Sequence, residues 1–229
     1  MTQTRTMMKA SEAAKHNGRE VAGLKKLVSQ GEGLHLEFKR KAAHPEKIIR
    51  EMIAFANTGG GTLLIGVSDD GSIPGVAYPE EESHSIRKAL NEKCYPALAF
   101  EESLIALSQK SFVVRFDIPR GEQRPYFFLV GPDKKETYVR TNDMSVKASR
   151  EMKEIIRREK SNKGTRFNFG DHEKKLMQQL EISKTITLNE FKILTGLNRM
   201  KAAKKLILLV LANVLSITAT EKGDVYARR

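Results

Sequence analysis

Residues 31–76 limit the fold more than any other stretch of the chain. GEGLHLEFKR (31–40) alternates apolar and polar residues through LHLEFKR, the period of a strand. Pro45 then opens a run, EKIIREMIAFANT (46–58), whose Ile48, Ile49, Met52, Ile53 and Phe55–Ala56 supply one apolar side. Proline is favoured at a first helical position, so a helix is predicted there. Gly59, Gly60 and Gly61 stop it. TLLIGV (62–67) is continuously apolar, as expected of a strand covered on both faces, and Asp69-Asp70-Gly71 signals a turn. The buried strand should lie beside the first. Glu32, Glu37, Lys39, Asn57, three glycines, Asp69 and Asp70 then fall in one compact unit.

The remaining pattern is mixed α/β. Residues 1–17 are polar and aperiodic and predict a flexible tail. Arg19 to Gln30 places Val21, Leu24, Leu27 and Val28 on one helical face, ended by Gly31. A polar helix is expected at 80–93, strands at 97–101, 110–117, 126–129 and 137–140, and a helix at 149–159 (SREMKEIIRRE). Residues 161–170 are polar and glycine-containing without period, which predicts a linker. Beyond it, 172–182 reads as a helix. Residues 186–196 read as a short strand and a helix capped by Thr187 or Asn189, and 197–214 as a helix capped by Asn198. Residues 215–229 read as a hairpin turning at Lys222-Gly223-Asp224. That order is the order of a winged helix-turn-helix. The expected domains are therefore 18–160 and 171–229.

Charge narrows the partner. The 229 residues carry a net charge of +12, and Lys and Arg gain free energy by displacing counterions from phosphates. Nucleic acid is the expected partner, with DNA favoured and RNA the alternative. An anionic membrane is the weaker rival, and no run approaches the roughly 20 apolar residues of a spanning helix. The N-terminus lacks the apolar core of a secretory signal, and one cysteine, Cys94, excludes an internal disulfide framework. A cytoplasmic protein is expected.

Three separated segments, EGLHLEFKR, IAFANTGGGTLLIGVSDDGSIPGV and YVRTNDMSVKAS, together resemble the AlbA-2 domain of Schlafen proteins and of many prokaryotic transcriptional regulators. The resemblance covers about residues 18–159. It implies an α/β nucleic-acid-binding domain, which prokaryotic relatives often follow with a winged helix. A DNA-binding transcriptional regulator is the expected function. The alternative is a Schlafen-like, Mg²⁺- or Mn²⁺-dependent endoribonuclease acting on structured RNA. For that activity the resemblance implies Glu32, Glu37 and Asp69 as metal ligands, the aspartate's register being ambiguous with Asp70. Carboxylates suit hard cations, which can activate water at a phosphodiester. The competing reading pairs Glu37 with Lys39 or Arg40 and leaves Asp69 to cap its turn.

Candidate nucleic-acid contacts follow. Lys39, Arg40 and Lys41 form a basic cluster, for phosphate or for solvent. Asn57 and Gly60 lie in a turn whose amides could meet a phosphate or could simply end the helix. Arg140 could bind phosphate or pair with Asp69 or Glu37. In the C-terminal unit Asn198, Arg199, Lys201, Lys204 and Lys205 open the third helix, where a recognition helix contacts bases and phosphates, and Lys222 marks the hairpin. The run LILLVLANVL (206–215) is apolar all round, so its helix should bury a second face, either in a homodimer or against the first domain. The five histidines show no metal-ligand spacing, and no nucleotide-binding P-loop motif occurs.

Overall fold

A computed structural model describes residues 18–159 and 168–229. The expected tail and residues 161–167 of the expected linker lie outside the described residues. Residues 18–28 form helix α1. There follow β1 (Leu36–Lys39), α2 (Pro45–Asn57), β2 (Gly61–Ile65), α3 (Pro79–Lys93), β3 (Cys94–Tyr95), β4 (Glu101–Ser108) and β5 (Ser111–Ile118). Next come β6 (Phe127–Leu129), β7 (Lys135–Glu136), β8 (Tyr138–Thr141), β9 (Met144–Lys147) and α4 (Arg150–Glu159). The C-terminal unit comprises α5 (Asp171–Ser183), β10 (Thr185–Thr187), α6 (Leu188–Thr195), α7 (Arg199–Leu211), β11 (Leu215–Thr218) and β12 (Val225–Arg228).

The central sheet has the order β1-β2-β5-β4. β1 and β2 run parallel, joined through α2, and the other pairs are antiparallel. Alternation along β2 explains its unbroken apolar sequence. Leu63 and Ile65 pack with Ile49, Met52, Ile53 and Phe55 of α2, while Leu64 packs with Leu24 and Val28 of α1. The sheet is thus covered on both faces, and its two central strands supply both cores. The strand expected at 97–101 differs. Residues 97–100 join no ladder, and the strand begins at Glu101, paired to β5 across the short turn that follows Ser108. β4 was hidden because it is an edge strand with a largely exposed Glu101–Leu104, so it lacks a clean buried alternation.

In the C-terminal unit β10, β12 and β11 form an antiparallel sheet under α5, α6 and α7. Thr187 caps α6 in a capping box with Glu190, and the Asn198 side chain accepts the Lys201 amide at 2.9 Å to cap α7. The all-round apolar α7 is accounted for by two contacts. Leu206, Leu209 and Val210 fill the core of this unit, and Ile155 of α4 joins the same cluster. The packing of α7 against α4 of the preceding unit, through Ile155, matches one of the two expectations for its second face. A smaller cluster joins Val139, Val146, Met152 and Ile156 to Ala219, and the Thr141 hydroxyl donates to the Ala219 carbonyl at 2.9 Å. No helix among the described residues is long and apolar enough to cross a membrane.

Candidate nucleic-acid interface

β1 carries Glu37 inward at its centre and Lys39 at its end. Glu37 is 5% exposed. One of its oxygens takes the Lys39 ammonium, and the other takes Arg140 Nη1 at 2.9 Å. Arg140, on β8, is itself 4% exposed and also donates to the Gly33 carbonyl at 2.6 Å and to Ser145. Its guanidinium lies over the Phe55 ring, 4.8 Å from the centroid. Lys39 reaches a second carboxylate, Glu51 of α2, at 3.5 Å. Burial first, then the adjacent Glu37 carboxylate, pushes Glu51 up to about 7. Burial works against the Lys39 ammonium too, but Glu51 and Glu37 outweigh it and hold its pKa above the usual value. Glu32 accepts the Phe38 amide at 2.8 Å, and burial still raises its pKa.

This arrangement engages the carboxylates within the protein to different degrees. Glu37 spends both oxygens on cations of the protein, Glu32 is committed to a backbone amide, and Asp69 stands exposed in its turn. No group of three or more His, Cys, Asp or Glu among the described residues could hold a metal ion. Glu32 feels the charges of both Glu37 and Asp69, while Glu37 is ion-paired to Lys39 and Arg140 and lies near Glu51.

Several expected phosphate contacts are internal struts instead. Asn57, 3% exposed, donates to the Tyr126 and Tyr138 carbonyls at 3.0 Å each and accepts the Tyr126 amide at 2.8 Å. It has no donor left for phosphate. Gly60 gives its amide to the Phe55 carbonyl at 2.8 Å. With φ of +80° and a Cβ that would lie 2.7 Å from the Ile118 carbonyl oxygen, only glycine fits. Arg140 and Lys39 are taken up by the carboxylates above. Of the basic cluster at the end of β1, Arg40 and Lys41 face solvent.

The C-terminal candidates divide the same way. Lys205 pairs with Glu173 at 2.5 Å. Arg199 Nη2 lies 3.0 Å from Oε1 of Glu151, a buried residue at the start of α4. Asn198 is the cap. Lys201, Lys204 and Lys222 are exposed and make no ion pair among the described residues. Lys222 shares a cleft with Lys192, Arg199, Ser149, Glu151 and Asp224. Ser149 donates to Asp224, whose pKa burial raises.

Compared with known families, residues 32–149 match the model described as Schlafen, AlbA_2, which is more than half of the chain. The chain belongs to the Schlafen AlbA_2 family. The AlbA_2 domain thus runs from the residue before β1's approach to the last residue before α4, and it contains the whole Glu37–Lys39–Glu51–Arg140 cluster. α4 and the C-terminal unit lie outside the match. No curated protein matches the chain. Among solved structures, the N-terminal domain of a RecG-related protein from Nitrosomonas europaea is similar, with 20% identity, a TM-score of 0.39, and 49% of this chain covered against 82% of that one. The DIP2311 protein from Corynebacterium diphtheriae gives 16% identity and a TM-score of 0.40, with 58% of this chain and 28% of that one covered.

Two sets of residues escaped the sequence reading. Glu51 joins the cluster only through the packing of α2 on β1, and no local pattern announces that. Arg150, Lys153, Arg157 and Arg158 on α4 were legible as a basic face, at spacings of three, four and one, within a segment read only as a helix.

Proposed function

We propose that this protein binds nucleic acid, with duplex DNA the favoured partner, and serves as a DNA-binding transcriptional regulator whose C-terminal unit is a winged helix. The observation that carries the reading is the outer face of α7. Lys201 and Lys204 project from the first turns of a capped helix, exposed and without an ion pair among the described residues, while Lys222 projects from the hairpin turn. The order helix, strand, helix, helix, hairpin and the sheet order β10-β12-β11 support a winged helix. In such a unit the third helix enters the major groove and the wing tracks phosphates. Membership of the AlbA_2 family and the net charge of +12 agree with a polyanion partner.

The chemistry assigned to these residues is binding. Lys201 and Lys204 supply phosphate contacts that release counterions, and Asn198 fixes the start of the helix that presents them. Arg40 and Lys41 offer a second contact on the AlbA_2 domain. The buried ionic cluster ties β1, α2 and β8 together and keeps that surface in shape.

A gel assay on labelled duplex DNA and structured RNA, each with Mn²⁺ and with EDTA, tests the reading. Shifted, intact DNA that ignores EDTA and weakens steeply with salt is expected. Metal-dependent fragments that vanish in Glu37→Gln would replace it with the ribonuclease.

A further inference from the structure

We propose that the solvent face of α4 is a phosphate-backbone contact surface that bridges the AlbA_2 domain and the C-terminal unit. The proposal rests on the nucleic-acid reading above, and it adds a helix that neither the family match nor the motifs include.

Four of the ten residues of α4 are cations: Arg150, Lys153, Arg157 and Arg158. At 3.6 residues per turn they share an arc of roughly 140°. Its three carboxylates neutralise only one of the four. Glu151 points inward and holds Arg199, and Glu159 lies within ion-pair distance of Arg120 and Arg124, at 2.9 and 3.6 Å. Glu154 pairs with Arg157 at 2.6 Å. Arg150, Lys153 and Arg158 therefore have no ion partner among the described residues. From Arg150 to Arg157 the helix advances about 10 Å, a length over which a duplex carries about six phosphates.

The neighbours continue the same sign. The Glu151–Arg199 pair sets the first turn of α7 beside the first turn of α4. The cleft between them is edged by Lys192, Arg199 and Lys222. Cations from α6, α7 and the hairpin turn thus gather beside the first turn of α4, in a cleft that also holds Glu151 and Asp224. A basic helix can also suggest an anionic membrane. The opposite side of α4 argues against that partner, because Met152, Ile155 and Ile156 are buried in protein and leave no apolar face to enter a bilayer.

The test compares two triple variants with equal loss of charge. One is Arg150→Gln, Lys153→Gln and Arg158→Gln. The other, Lys26→Gln, Lys88→Gln and Lys110→Gln, removes exposed lysines elsewhere. Fluorescence titrations with a short DNA duplex over a series of salt concentrations are expected to show the α4 variant losing about 2 to 3 from the slope of log K against log salt, at roughly 0.9 per contact. The control variant is expected to lose less than one, and both to melt with the wild type. Equal slopes in the two variants would overturn the α4 surface and leave the binding function intact. So would loss of binding to phosphatidylserine vesicles, but not to DNA, in the α4 variant. A wild-type chain that binds neither duplex nor structured RNA would remove the functional reading itself.

Discussion

Arg140 Nη1 sits 2.9 Å from Glu37 Oε2 across 103 residues of chain, with the two side chains 1% and 7% exposed. The pair joins β8 to β1 inside the AlbA_2 domain. Breaking a buried pair by removing one partner is costly because the other charge stays buried. Arg140→Ala also strands the Gly33 carbonyl. We expect it to lower stability by about 3–5 kcal/mol, read by urea unfolding. The double variant Arg140→Met with Glu37→Met should recover much of that loss. A single Arg140→Ala variant that unfolds with the wild type would show that this pair does not hold the two strands together.

Glu51 gives the cluster a pH dependence. Its ordinary value is 4.5, and in the fold it titrates at about 7, chiefly through burial and the nearby Glu37. The folded chain therefore holds a proton that the unfolded chain has released. That stability is complete below about 4.5 and is lost as pH rises through about 7. Glu51→Gln should flatten this loss. The variant should exceed the wild type at pH 8 by up to about 3 kcal/mol, the advantage shrinking as pH falls to 5. Parallel unfolding curves at both pH values would contradict the coupling.

The elements around Glu51 show what a sequence can and cannot reveal. β2 and α2 were legible because each repeats a period: TLLIGV has no polar break, and Ile48, Ile49, Met52 and Ile53 mark one helical side. β4 was not, since an edge strand with half its residues in water carries no clear alternation. Glu37 and Arg140 were both visible as candidates, and their pairing was one of the alternatives open. What the sequence lacked was the third dimension of the cluster. Lys39 could be read as a phosphate ligand until α2 packed Glu51 against it, and Asn57 as a turn amide until β6 and β8 closed around it.

Asn57 is expected to behave as a structural residue. Its side chain satisfies the Tyr126 amide and the Tyr126 and Tyr138 carbonyls, 69 and 81 residues away. Asn57→Ala leaves three buried backbone groups without partners, at about 1–3 kcal/mol each, so a loss of roughly 3 kcal/mol or more is expected by thermal melting. At a temperature where the variant remains folded, its DNA affinity should match the wild type. A stable variant with weakened binding would return Asn57 to the interface.

Exposed and engaged cations on α7 should separate in the same way. Lys201 and Lys204 make no ion pair with a carboxylate among the described residues, so Lys201→Ala with Lys204→Ala should change stability by less than about 0.5 kcal/mol per site. Binding should nevertheless weaken, and the salt slope should fall by about 2. Arg199 differs because it neutralises Glu151, whose side chain is 7% exposed. Its own side chain is 60% exposed, so water screens the pair and the cost of Arg199→Ala should be nearer 1 kcal/mol than the full buried-pair value. The decisive comparison is Glu151→Gln. If the pair mainly positions α7, this variant should melt earlier and bind DNA less tightly although it removes a negative charge. If Arg199 is instead held back from DNA by Glu151, the same variant should bind more tightly. The position of Glu151 in the first turn of α4, buried beneath the α7 contact, favours the first outcome.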